Sequence, residues 1–466
     1  MFAQDDVALA NALGRPDRLV PYRDCRSQHG AASAVRIMTS SRRLSNSLFR
    51  RKRETFALQP AHRVAAGARN LCFMIMLLLL GACASDPREP FSFTDDQSAR
   101  VPGFSDIRMW ADAPPGALAR MLGSPRLTPT PIHEVNYLAL SGGGSAGSFA
   151  AGLLTGWTKT GKRPEFDIVS GVSTGALIAP FAFVGSRYDP SLETLFTGDA
   201  AADLANPQSP LKIVAGGSLM DATPLRRMIE RYATAELLAR IAVEHRRGRR
   251  LIIVTTNLDA QRPVLWDMGA IATSGRLDAL RLFQDILVAS SSEPAMYAPV
   301  MIDVDTGERH IEEMHVDGGT TAPVFIDPEM LKPTSMRIPA RDAKRIHIWV
   351  IVNNTLAPEF GVTNSGAIAI AVRSLSTIMK SQTKGILTSA SETARRLGMD
   401  FNFTYIGQSE PFDPRKPFDP VYMKALFALG DHEIQTGIPW RKSVSSWMEP
   451  VVAESSPRDG SEREPN

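Results

Sequence analysis

The chain has 466 residues, with 52 Lys+Arg against 49 Asp+Glu and a formal net charge of +3. That length can bury one large core or two modest ones. Residues 1–82 hold 13 basic and 5 acidic side chains, which leaves 39 against 44 for the rest. The folded part is therefore net acidic, which argues against a nucleic-acid partner.

In chain order, the first feature is the apolar run Leu71–Leu80, preceded by Arg63 and Arg69. A membrane-spanning helix needs about 20 residues, so a run of this length reads as the hydrophobic region of a secretory signal with a basic flank. Leu80-Gly81-Ala82-Cys83 follows and looks like a bacterial lipobox, in which Cys83 is acylated and becomes the new N-terminus. The alternative is an ordinary signal peptide followed by a chance cysteine. With Cys25 and Cys72 upstream of the cut, the processed chain would hold no free thiol and no disulfide, compatible with an oxidising periplasm. Residue 84 is Ala rather than Asp. The expected location is thus the bacterial cell envelope, lipid-anchored at the periplasmic face of the outer membrane. Residues 1–62 are unusual in front of a signal, and translation is expected to start at Met38 or near Val64.

Residues 84–131 are rich in Pro, Asp, Ser and Gly and read as a tether with one short helix around Leu118–Leu122. Strands are expected at 135–140, 166–169, 251–256, 314–316, 345–352 and 403–406, with 264–266 as an edge strand. Helices are expected at 148–158, 174–184, 277–290 and 367–396. Alternating strands and helices argue an α/β sandwich with a mostly parallel sheet. The expected organisation is a leader (1–82), a lipid-anchored Pro-rich tether (83–134), a core domain (135–330), a C-terminal α/β extension packing on it (331–452) and a disordered tail (453–466).

Three strings carry chemistry. Gly142-Gly143-Gly144-Ser145-Ala146-Gly147 lies between a strand and a helix, where a glycine loop can turn amides toward one point, aided by the helix dipole. Acyl transfer needs such donors as charge builds on the carbonyl oxygen, and one is worth about 3–4 kcal/mol. The same string satisfies G-x-G-x-x-G, the dinucleotide-binding pattern. That pattern requires an acid about 20 residues on, at the end of the second strand; here the strand runs into Ser170-Gly171-Val172-Ser173 instead. A purely structural glycine turn is the other alternative.

Gly171-Val172-Ser173-Thr174-Gly175 sits between a strand and a helix, the setting in which G-x-S-x-G mounts a nucleophilic serine on a tight elbow. Its competing reading is a serine N-cap. Ser173 needs a proton acceptor, and none of His133, His245, His310, His315, His347 or His432 carries a triad signature. His315 and His347 fall in expected strands and read as packing or edge residues. The run from His310 to His315 lacks metal-binding spacing, so no metal is expected. Asp317, in Asp317-Gly318-Gly319, is the better base, although it could also be a plain Asp-Gly turn. An ordinary Asp, near 3.9, is a feeble base at neutral pH, so desolvation must raise it.

The three strings in this order resemble the patatin-like phospholipase family. The segments Ala289–Pro299 and Gly217–Leu225 resemble two further family blocks, so the likeness covers about residues 135–330. It implies a three-layer α/β/α patatin-like sandwich and a Ser173–Asp317 dyad in which the aspartate takes the serine proton directly. It further implies an oxyanion hole at Gly142, Gly143 and Gly144, a lipid or acyl-ester substrate, and no cofactor. The implied activity is a serine acyl hydrolase of lipase or phospholipase type. The alternative is an inactive envelope lipoprotein that uses the fold for lipid binding or scaffolding. Family members usually carry Arg or Lys where this chain has Ala146, so a preference for phospholipid is not implied.

Overall fold

In the computed structural model, residues 88–114, 117, 134–198, 204, 207–209, 218–328, 340–407, 416–437 and 439–444 are described. The leader, Cys83, the short helix expected at Leu118–Leu122 and the tail lie outside these residues.

The strands are β1 (Arg108–Trp110), β2 (Val135–Leu140), β3 (Ile168–Val172), β4 (Arg250–Asn257), β5 (Arg262–Asp267), β6 (Val300–Asp305), β7 (His310–Asp317), β8 (Ile346–Val352) and β9 (Asp400–Tyr405). They form one sheet in the order β1-β5-β4-β3-β2-β8-β9, with β7 also on β4 and β6 on β7. The five strands from β4 to β9 across the middle pair in parallel, while β5, β1, β6 and β7 join antiparallel. Sheet strands with helices on both sides must be apolar on both faces, and β2 and β3 are buried at every position.

The helices are α1 (Phe93–Ser98), α2 (Ser148–Lys159), α3 (Thr174–Val184), α4 (Asp189–Thr197), α5 (Thr223–Tyr232), α6 (Ala235–Arg246), α7 (Met268–Thr273), α8 (Ala279–Ser290), α9 (Ala367–Leu397) and α10 (Pro420–Gln435). One face of the sheet, through Leu138, Leu140, Val169 and Ile253, packs on α2, α3, α8 and α10. The other face, through Tyr137, Ala139, Val172 and Val254, packs on the second half of α9 at Leu387, Ala390 and Ala394. Each fully buried aliphatic side chain of this kind stabilises by about 1.5–3 kcal/mol. The result is the three-layer α/β/α sandwich with a mostly parallel sheet.

Three expectations change. The 264–266 segment, read as an edge strand, is β5 and lies inside, because β1 covers its outer side. β1, α1 and the buried Ala99, Val101, Phe104 and Ile107 belong to the folded body, so this part of the expected tether is anchored to it. Residues 346–435 do not pack on a finished core: β8 pairs with β2 along its whole length and α10 lies in the same layer as α2. No element was expected at α1, α4, α5, α6, α7, α10, β1 or β6.

Candidate active site

β4 is the template that builds the site. On one edge it pairs with β5 from Ile252 to Asn257. On the other edge it pairs first with β3, ending at Val172 opposite Val254, and then with β7, whose Asp317 stands opposite Thr255. The parallel β3 and antiparallel β7 therefore meet end to end on neighbouring residues of β4. Ser173 follows the last residue of one, and Asp317 is the last residue of the other. Their side chains face each other closely enough for the Ser173 hydroxyl to favour the ionised Asp317 carboxylate.

Ser173 adopts φ 55° and ψ −125°, a left-handed region that a serine occupies only when its surroundings enforce it. Its N–H donates to Ser290 Oγ (3.0 Å), and the Ser290 hydroxyl donates to the carbonyl of Val254 (2.7 Å). Ser173 stands at the N-cap position of α3, but its side chain makes no capping bond there. The flanking glycines allow strand and helix to touch. A Cβ on Gly171 would strike the Gly175 carbonyl, and one on Gly175 the carbonyls of Leu140 and Ser141.

Asp317 is 3 % exposed. Its N–H donates to the Ser292 carbonyl (2.9 Å) and its carboxylate accepts from Gly319 N–H (2.6 Å). Burial raises its pKa to about 7, outweighing the bonds from Ser173 and Gly319 that favour the ionised form, and the nearby Glu293 carboxylate adds to the rise. Glu293 is itself pushed up by burial. Gly318 passes tightly against the Val254 carbonyl, where a side chain would not fit.

The glycine loop follows β2 beside this pair. Gly142 N–H donates to the Pro323 carbonyl (3.0 Å), so it is not free to serve as the oxyanion donor expected of it. The N–H groups of Gly143 and Gly144 have no acceptor among the described residues. Gly144 has φ +56° and open space where a Cβ would stand. Gly147 lies against Thr174, whose hydroxyl donates to the Gly144 carbonyl (2.8 Å) and ties loop to elbow.

Asn353, just beyond β8, was not singled out in the sequence. Its Nδ2 donates to the Ser141 carbonyl (2.9 Å), and its Oδ1 accepts from Ala150 N–H (3.1 Å), capping the first turn of α2 in place of the absent side chain at Gly147. A Cβ on Gly143 would collide with the Asn353 carbonyl, so Asn353 and Gly143 set the loop against each other. Only the placement after an apolar strand hinted at it. Ser290, Ser292 and Glu293 lay within a quoted sequence block, but nothing there separated them from neighbouring serines.

His315 is wholly buried and takes part in a network beneath the site. Trp266 Nε1 donates to Thr255 Oγ1 (2.8 Å), the Thr255 hydroxyl pairs with His315 Nδ1 (2.9 Å), and His315 Nε2 faces Glu313 Oε2 (3.1 Å). These partners assign the Nε2–H tautomer. Burial lowers the His315 pKa. Burial alone would raise Glu313, yet hydrogen bonds from Arg108 and His315 hold it at about 2. His347 pairs with Asp400 (3.0 Å) near the start of β8, the end of the sheet away from Ser173.

The basic run Arg246–Arg250 leads into the start of β4, likewise the end of the sheet away from Ser173. Arg249 is buried there, bonded to the Phe166 carbonyl (2.7 Å) and to Glu165 and Glu244. Ala146 belongs to the apolar core. Serine hydroxyl, raised carboxyl and a glycine loop beside them are the groups that can attack a carbonyl carbon, accept a proton and offer amides to an oxyanion.

Residues 138–330 match the family model described as patatin-like phospholipase. A solved structure, VipD from Legionella pneumophila, aligns at 12% identity with a TM-score of 0.30, over 64% of this chain and 67% of that one. No curated protein matches the chain.

Proposed function

We propose, from the premise that residues 138–330 are a patatin-like phospholipase domain, that this protein is a serine acyl hydrolase acting on lipid acyl esters. The observation that carries the reading is that β4 brings Ser173, at the end of β3, against the buried Asp317 at the end of β7, where burial raises the Asp317 pKa to about 7. In this mechanism Asp317 accepts the Ser173 proton as Oγ bonds to the ester carbonyl carbon. The π electrons move onto the carbonyl oxygen, which the amides of Gly143 and Gly144 bind. Collapse breaks the ester C–O bond, and the leaving alcohol takes the proton from Asp317. Water then repeats the sequence on the acyl-enzyme: it gives a proton to Asp317, adds to the carbonyl and releases the fatty acid as Ser173 is reprotonated. Ser290 and Ser292 hold the two reacting residues in register.

The chain is further proposed to be a lipid-anchored envelope protein through Cys83. Labelling with a fluorophosphonate tests the catalytic reading against the inactive-scaffold alternative. Label should attach at Ser173 and be lost in Ser173→Ala. Ester hydrolysis should fall to background in that variant, and adding Asp317→Asn should cost little more because the two act as a unit. Retained turnover in Ser173→Ala would refute the assignment.

A further inference from the structure

The first half of α9 and the loop before it are out of keeping with the rest of the surface. Phe360 is 98 % exposed, Val362 93 %, Ile370 49 % and Ile378 54 %, and Val372 is exposed as well. From Phe360 to Val372 there is no charged residue, and α9 opens with Ala367-Ile368-Ala369-Ile370-Ala371-Val372. The nearest charges are engaged with the loop and with one another. Arg373 donates to the Glu359 carbonyl, and Lys380 Nζ binds Glu359 Oε2 (2.8 Å), Thr355 Oγ1 (3.0 Å) and the Ala357 carbonyl (2.9 Å). Exposed apolar surface concentrated in this way marks an interaction site.

Two observations identify the occupant. The exposed side chains are not confined to one stripe: Ile370 and Val372 are about 200° apart around the helix, at 100° per residue. A protein groove covers one stripe, whereas an acyl layer surrounds an inserted tip. The same helix also leads to the candidate site, because Met379, one residue after Ile378, lies against Gly319 beside Asp317.

We propose that residues 360–378 dock on the lipid surface that presents substrate to Ser173. The inference rests on the hydrolase reading for its substrate, but the docking itself is testable without turnover. In the full chain with Cys25, Cys72 and Cys83 replaced by Ser, Val362→Cys carries an environment-sensitive fluorophore. Leu277→Cys, fully exposed near the far end of α8, is the control. Vesicles of phosphatidylcholine and phosphatidylglycerol should shift the emission to the blue and raise it several-fold at 362 and leave it unchanged at 277. The local readout separates docking from any binding by the leader, and Phe360→Cys repeats it should the first variant not fold. Phe360→Ser combined with Ile370→Ser should reduce hydrolysis of vesicle-borne ester about tenfold or more, with hydrolysis of a soluble short-chain ester unchanged. An unshifted probe on added vesicles would overturn the proposal. So would a shift that grows with protein concentration in their absence, which would identify a second copy as the occupant. If no ester is cleaved but the probe shifts, the docking stands and the hydrolase reading fails.

Discussion

Replacing Asp317 by Asn should abolish activity and yet stabilise the protein at alkaline pH. Asp317 ionises at about 7 in the folded chain against an ordinary 3.8. The folded state therefore binds its proton more tightly than the unfolded state does. Below about pH 4 both states are protonated and the group has no effect on stability relative to Asn. As pH rises, the unfolded chain ionises first, and stability falls until the folded carboxyl has also ionised near 7. A shift of about three units at 1.36 kcal/mol each amounts to a penalty of about 4 kcal/mol above neutrality. Asn cannot ionise, and its Oδ1 can still accept from Gly319 N–H, so Asp317→Asn should recover much of that penalty. Denaturant titrations of both proteins from pH 4 to 9 would measure it. The difference should grow across this range and level off above about pH 7, while kcat/KM of the parent for a nitrophenyl ester rises with a midpoint near 7. A stability difference that does not change with pH, or an activity midpoint near 4, would refute the claim that burial makes this aspartate a base.

Three further outcomes follow from the same geometry. Glu293→Gln removes the negative charge acting on Asp317 and should move the acid limb of the kcat/KM profile to lower pH, read from the same pH series; an unmoved limb would mean the two carboxyls do not interact. Asn353→Ala leaves Ala150 N–H and the Ser141 carbonyl without their buried partner, at about 1–3 kcal/mol each, so both the melting temperature and kcat should fall, with KM changing less. Cys83→Ser should release the protein from membrane fractions or leave it uncleaved, since stable anchoring needs more than one acyl chain; mature protein that still fractionates with membranes would point to another anchor.

The residues with the strictest local demands were legible in the sequence. Gly171 and Gly175 must lack side chains for the elbow to close, Gly143 and Gly144 for the loop to open its amides, and Gly318 for the turn after Asp317 to pass β4. The apolar runs of β2, β4 and β8 declared a sheet covered on both faces, because only doubly buried strands read that way. What required the tertiary structure was everything set by register across distant segments. β3 and β7 meet end to end only because they share one edge of β4, a pairing without a local signature. Gly142 differs from its two neighbours only because Pro323 comes within reach of its N–H. Asn353 and Ser290 are ordinary polar residues until β8 and α8 deliver them to the loop and the elbow. The basicity of Asp317 is likewise tertiary: the residue type sets its pKa near 3.8, and only complete burial raises it to about 7.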